Sequence, residues 1–291
     1  MEKNFFTDIE RLLPTQPYLS KTKLNEVQKH FESHALEDYP PLKVISFGGK
    51  TILLEGHHIA FYIASQGKNI AKVIECRQCS LLFSLKLQNK CRKSGIHTIG
   101  GLAKKILDDA QYEEKWIKSY EKMRSSAELR PLAGLRCKDI YDGAQKIRIA
   151  DTIMTPIPEY FANEFIYKNY IRKSEDMYFL SFVIYGYPIA FAACRKIYDD
   201  VLEIYMLGIC RAIGSKTLSN RIMKEIFSLA KKLGRKYISV KVPNISAVKN
   251  KVYKLYDFYC SYGFSHIENL ESPWDEKRLC MLLLRHEKTH L

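Results

Sequence analysis

Residues 202–242 constrain this chain most. Leu202-Glu203-Ile204-Tyr205-Met206-Leu207 is a short apolar run with the length of a buried strand. A tight turn follows, from Gly208 to Lys216. Leu218, Ile222, Ile226, Leu229, Ala230 and Leu233 then recur at helical spacing, Lys224, Lys231 and Lys232 are placed to face water, and Gly234 supplies a stop. From Tyr237 to Val242 the pattern alternates, with Ile238, Val240 and Val242 on one face and Ser239 and Lys241 on the other, which is the period of a strand.

Strand, glycine turn, helix and strand in this order create an anion site. The turn leaves backbone N–H groups at the positive end of a helix dipole. Gly214 allows a phosphate to approach with no Cβ in the way, Ser215 and Thr217 offer hydroxyls, and Arg211 and Lys216 add charge. Neither the phosphate loop of NTPases nor the GxGxxG dinucleotide fingerprint is present.

Arg211-Ala-Ile-Gly214-Ser-Lys216 resembles the Q/R-x-x-G-x-G/A pyrophosphate loop of the GNAT (Gcn5-related) N-acetyltransferases in its first two fixed slots, and Lys216 departs from the third. Phe258-Tyr259-Cys260-Ser261-Tyr262-Gly263-Phe264 is similar to that family's L-Y-E-K-x-G-F helix end, and Leu279–Leu284 stands where the family has its last strand. The resemblance spans roughly residues 147–287. It implies acyl transfer from acetyl-CoA to an amine, with Leu207, Ile209, Arg211, Ala212, Ile213, Gly214, Ser215, Lys216 and Thr217 holding the cofactor. It further implies a splay between two strands that exposes backbone to pantetheine. Tyr259 is the implied proton donor to the departing thiolate, and Glu203 the implied base for the amine. The chemistry is coherent: an ammonium must lose a proton before it attacks, and a protonated thiolate leaves more easily.

A second pattern lies near the N-terminus. A proline motif (Pro14-Thr15-Gln16-Pro17) precedes a helix opened by Ser20, with Leu24, Val27 and Phe31 on one face. Leu42–Phe47 and Thr51–Leu54 read as strands joined by Gly48-Gly49, Glu55-Gly56-His57-His58 leads into a helix over Ile59–Gln66, and Ala71–Glu75 reads as a strand. This order resembles the ParB/sulfiredoxin-like fold. The resemblance implies nucleotide or anion binding, with ATP or CTP as ligand, at Glu55, Gly56, His57 and His58. Ile59 stands where that motif has arginine, and Gln16 lies near the place of the kinases' catalytic glutamate, so kinase activity is not expected. Read from the residues alone, the two histidines equally suit capping and packing, and as neighbours on a helix they make a poor metal pair.

The expected fold class is mixed α+β and α/β. Residues 1–78 form the ParB/sulfiredoxin-like domain, 79–124 a helical appendage, 125–146 a linker, and 147–291 a GNAT-like mixed sheet flanked by helices. Ile147–Ile149 is read as that domain's first strand, Pro158–Tyr170 as a helix over the acceptor site, and Tyr178–Cys194 as a hairpin turning at Gly186. With 46% hydrophobic residues in 291, the chain can bury a core for each domain. No run suits a membrane span and the first residues lack a secretory pattern, so a cytoplasmic protein is expected. The eight cysteines are read as mostly reduced thiols. Cys76-x2-Cys79 with Cys91 and His97 invites a zinc reading, but the second spacing is irregular and no metal is assigned.

A net charge of +14 favours polyanions, and a CoA or nucleotide would use part of it. The leading expectation is an acetyl-CoA-dependent N-acyltransferase acting on a small-molecule or peptide amine. The rival is a basic nucleic-acid- or nucleotide-binding protein whose GNAT-like half is not catalytic.

Overall fold

The computed structural model describes residues 4–76, 79–129, 132–154, 164–243, 253–270 and 279–285. The chain divides into two compact units, Met1–Gly134 with Ile184–Tyr187, and Leu135–Val183 with Pro188–Leu291.

The first unit opens with β1 (Asn4–Asp8), β2 (Leu12–Pro14), a short β3 (Leu19–Ser20) and α1 (Lys21–Ser33). The Ser20 side chain accepts from the Lys23 amide and caps α1, as its position before the first periodic residue predicts. β4 (Leu42–Phe47) and β5 (Lys50–Glu55) form the expected hairpin. Its two-residue turn places Gly48 and Gly49 at φ 60 and 70, the left-handed pair that matches strand twist. After α2 (His57–Ser65) and β6 (Ile70–Glu75), the five-stranded sheet has the order β1-β6-β4-β5-β2. Leu12, Leu42, Val44, Leu53, Ala60, Ile63 and Val73 are at its core. α3 (Leu81–Lys93), β7 (Ile106–Leu107), α4 (Asp109–Tyr112), a π-helical turn over Glu113–Ile117 and α5 (Lys118–Leu129) make up the helical appendage. There Leu87, Tyr112 and Trp116 form a small apolar cluster of their own.

The second unit is a seven-stranded sheet. Its elements are β8 (Arg136–Asp139), α6 (Gly143–Met154), α7 (Glu164–Arg172), β9 (Tyr178–Ile184), β10 (Tyr187–Tyr198), β11 (Val201–Ile209), α8 (Lys216–Lys232), β12 (Tyr237–Pro243), α9 (Tyr253–Cys260), β13 (Ser265–Leu270) and β14 (Leu279–Arg285). The order is β13-β14-β12-β11-β10-β9-β8, with β11 and β12 parallel. The β9–β10 hairpin turns at Tyr185 and Gly186, both left-handed. α6 and α7 supply Ile149, Ala150, Ile153, Met154 and Ile171 to a core shared with Phe179, Phe191, Ala193 and Met206. α8 buries Leu218, Ile222, Met223, Ile226, Phe227 and Ala230. Each of these side chains larger than alanine contributes about 1.5–3 kcal/mol of burial.

One expectation is corrected here. Ile147–Ile149 is not a strand but lies inside α6. Asp142 accepts the Gln145 amide at the helix start, and Lys146, Ile149, Ala150 and Ile153 fall on one buried stripe, a 3.6-residue period that three residues alone cannot display. The strand next to β9 is instead β8. Cys76 and Cys79 are joined in a disulfide, whereas Cys91, Cys137, Cys194, Cys210 and Cys260 are free thiols. Cys91 is buried in the first unit's core, and no group of three or more metal-ligating side chains occurs among the described residues. The start of the Pro158–Tyr170 helix lies outside the described residues. No described helix is long and apolar enough to cross a membrane.

Candidate active site

The second unit's central strands part company. β11 pairs with β12 from Val201↔Tyr237 to Ile204↔Val240 and no further, although β11 continues to Ile209 and β12 to Pro243. On its other side β11 stays paired to β10, as far as Ala190↔Ile209. The divergence coincides with an irregularity. Ala193 pairs with Met206 and Cys194 with Ile204, so Tyr205 is an extra residue, a bulge that bends the strand at the vertex. Among the described residues, the β12-facing edge of Tyr205–Ile209 has no strand partner, the kind of edge an extended polar chain can pair with. Leu207 and Ile209 lie on this edge, half-buried.

The wedge ends at the glycine turn. Ile213 and Gly214 both donate to the Cys210 carbonyl, at 2.9 and 3.1 Å, which folds the turn back on itself. Ser215 caps α8 by accepting the Leu218 amide at 3.2 Å. The Lys216 and Thr217 amides precede the first intrahelical bonds, so they point out of the helix start. Arg211, Ala212, Gly214, Ser215, Lys216 and Thr217 are all exposed, while Ile213 is buried and anchors the loop. Gly214 is not left-handed, and a Cβ there would meet nothing closer than 4.0 Å. The backbone therefore does not demand glycine at 214; what glycine leaves is open approach. Gly208 differs, since a Cβ there would sit 2.3 Å from Phe191.

At the vertex lies a charged cluster. Glu203 is buried, its side chain 3% exposed, opposite Ser239 in the parallel pair. One carboxylate oxygen accepts from Arg195 Nε, and the other lies 3.2 Å from Lys241 Nζ. The Arg195 guanidinium also covers the Tyr205 ring at 4.8 Å. Tyr170, from α7, stacks on Tyr205 at 4.6 Å and donates its hydroxyl to the Tyr205 carbonyl, fixing the bulge. Burial raises the Tyr170 phenol well above its ordinary range and pushes Tyr205 up to about 12. The Ser239 hydroxyl is buried with no hydrogen-bond partner among the described residues.

Tyr259 sits on α9, 4% exposed, its ring edge-on to Phe258 and Phe264. Burial raises its pKa, and the proximity of Cys194 adds to that, so the phenol stays protonated. No hydrogen bond is formed by its hydroxyl among the described residues. Tyr262 donates to Asn220 at 2.7 Å and ties the end of α9 to α8.

No family model matches the chain, and no curated protein matches it. Among solved structures, it is similar to a putative GNAT-family acetyltransferase from Desulfovibrio desulfuricans, at 11% identity and a TM-score of 0.43, over 52% of this chain and 99% of that one. It is also similar to YncA, a putative acetyltransferase from Salmonella typhimurium solved with acetyl-CoA, at 13% identity and a TM-score of 0.41, over 54% and 97% of the two chains. A third is the ribosomal-protein-S18-alanine N-acetyltransferase of Escherichia coli, at 12% and 0.41, over 54% and 99%.

The residues singled out in the first unit behave differently. His57 is buried and its Nε2 accepts the Thr15 amide at 3.0 Å; His58 Nε2 accepts the Ser20 amide at 2.9 Å. Both rings therefore pin the segment that runs from Pro14 to Ser20. Burial lowers their pKa values to about 3 and about 4, so they are neutral and offer no cation to a phosphate. Gly56 has φ 93, and a Cβ there would lie 2.5 Å from Leu42 Cδ2, so backbone conformation and packing together favour this glycine. Glu55 pairs with Lys43 at 2.8 Å on the surface. Beside Glu55 opens a cavity of about 760 Å³, walled by Phe83, Trp116 and Tyr120 and edged by Lys23 and Lys86.

Sequence reasoning missed Arg195, Lys241, Tyr170 and Tyr205. The alternation that puts Ser239 and Lys241 on one face was a usable signal for Lys241. Nothing local announces Tyr170, which reaches Tyr205 across 35 positions.

Proposed function

We propose that the second unit is a CoA-dependent N-acyltransferase using acetyl-CoA and acting on a small-molecule or peptide amine. The observation that carries this is the divergence of β11 and β12 beyond Ile204 and Val240, opening onto the exposed start of α8. An acyl-CoA is a polar chain with amides along its pantetheine and a diphosphate beyond. The amides pair with the free edge of Tyr205–Ile209, and the diphosphate rests on the Gly214–Thr217 backbone with Arg211 and Lys216 beside it. The thioester then lies at the bulge, against Glu203. Glu203 attracts the acceptor's ammonium and takes its proton toward water. The amine attacks the acyl carbon, the C–S bond breaks, the Tyr259 phenol donates to the departing thiolate, and the second proton of the nitrogen restores the phenol. Calorimetric titration with acetyl-CoA is the test: one site with micromolar or tighter affinity is expected, and absence of both heat and thermal stabilisation overturns the reading.

For the first unit we propose an anion- or nucleotide-binding role, with ATP or CTP as candidate ligands. The aromatic and cationic walls of its cavity support this better than the histidine pair does, since both histidines are spent on backbone amides. The rival nucleic-acid reading rests on the +14 charge and on the departure of Lys216 from the loop pattern, and it predicts retention on DNA that weakens steeply with salt.

A further inference from the structure

Lys241 occupies a place that the proposed reaction reserves for a substrate. It is the first residue of β12 beyond the last rung shared with β11, and so it stands at the mouth of the wedge. Its side chain shares a face with Ser239 and Glu203, and its Nζ lies 3.2 Å from the Glu203 carboxylate. The side chain is 42% exposed, so it is open to solvent while Glu203 is buried. An acceptor amine approaching a thioester at the bulge needs the same three things: an ammonium, the Glu203 carboxylate to hold it, and the diverging edge to bring the acyl group near. We propose that Lys241 is itself an acyl acceptor, and that the protein acylates this lysine from acyl-CoA. The inference rests on the acyl-CoA reading above.

The balance of the step is simple. The Lys241 ammonium gives one proton to the Glu203 carboxylate, and Nζ attacks the acyl carbonyl carbon. The N–C bond forms and the C–S bond breaks. The CoA thiolate takes up the second proton of the nitrogen, and the first passes from Glu203 to water. The products are an uncharged amide at Lys241, CoA thiol and one proton. Because nucleophile and thioester are held in one cleft, the step is intramolecular and needs no second protein molecule. It also changes the site, since the amide no longer carries the charge that held the second carboxylate oxygen. Glu203 is then left with Arg195, and that oxygen is open to an incoming ammonium.

The test incubates the full-length protein with acetyl-CoA, maps acetylated peptides by mass spectrometry, and follows acetyl-CoA binding by calorimetry on the same sample. Expected is acetylation at Lys241 at a rate independent of protein concentration, lost in Lys241→Arg. Glu203→Gln should slow it by about 100-fold, the contribution of a positioned base. Should that variant fold poorly, Gly214→Asp, in an exposed turn, should also abolish the modification. Acetyl-CoA that binds while Lys241 stays unmodified overturns this proposal and leaves the acyltransferase reading intact. Absence of binding overturns both. Equal acetylation of Lys241 in urea-unfolded protein marks a non-enzymatic reaction and likewise refutes it.

Discussion

Gly214 offers a clean separation of fold from function. Its backbone is not left-handed and a Cβ would contact only Arg211 O and Ile209 Cγ2, each at 4.0 Å, so Gly214→Ala should change stability by no more than about 0.5 kcal/mol. Gly214→Asp adds a carboxylate to the same exposed turn. Placed about 5 Å from a diphosphate charge at an effective dielectric near 20, it costs about 3 kcal/mol per charge. At 1.4 kcal/mol per decade that is a loss of on the order of a hundredfold or more in acetyl-CoA affinity. Calorimetry on the three proteins, with urea midpoints as a fold control, reads this directly. The loss should shrink at high salt, because the turn is open to screening. If Gly214→Asp folds normally and binds acetyl-CoA like the parent, the diphosphate does not sit at the start of α8 and the loop assignment is refuted.

Other outcomes follow from the same geometry. Tyr259→Phe removes the protonated phenol but keeps the ring between Phe258 and Phe264, so turnover should fall by tenfold or more, on the order expected for a lost proton donor, with little change in acetyl-CoA affinity; unchanged turnover would make Tyr259 a packing residue. Acid should destabilise the first unit through His57. In the folded state its pKa is lowered from 6.5 to about 3, so only the unfolded chain is protonated between those values. The stability it contributes is complete above the unfolded value, and it drains as the pH falls from there toward the folded one. By pH 5 the loss is about 2 kcal/mol, and His58, lowered to about 4, acts in the same direction. Urea midpoints at neutral and mildly acid pH would check this, and equal midpoints would show that the rings are not buried neutral. Gly56→Ala should destabilise the first unit by about 2–4 kcal/mol, because it combines a left-handed backbone with a 2.5 Å contact to Leu42; a midpoint like the parent's would mean that the α2 entry differs.

Several elements were legible because their signals are local. The α8 stripe from Leu218 to Ala230, the alternation of β12 and the Gly48-Gly49 hairpin each follow from spacing within one segment. The Ile147 strand was misread for the complementary reason: its true period needed Asp142 and the residues through Ile153. The histidine pair was visible as a pattern, but its partners, the Thr15 and Ser20 amides, lie 42 and 38 positions away, so only folding decided that the rings are hydrogen-bond acceptors rather than a phosphate clamp.

The sequence by itself determined the strand, turn, helix and strand of 202–242, and hence an exposed helix start beside a glycine that needs no Cβ. It could not determine where β11 and β12 stop pairing, nor that Arg195, Glu203, Lys241 and Tyr205 meet at that point. Strand register and side-chain encounters are set by contacts between segments, which no local periodicity encodes. Tertiary structure alone therefore decided that a buried carboxylate, two cations and the divergence of β11 from β12 occupy the same vertex.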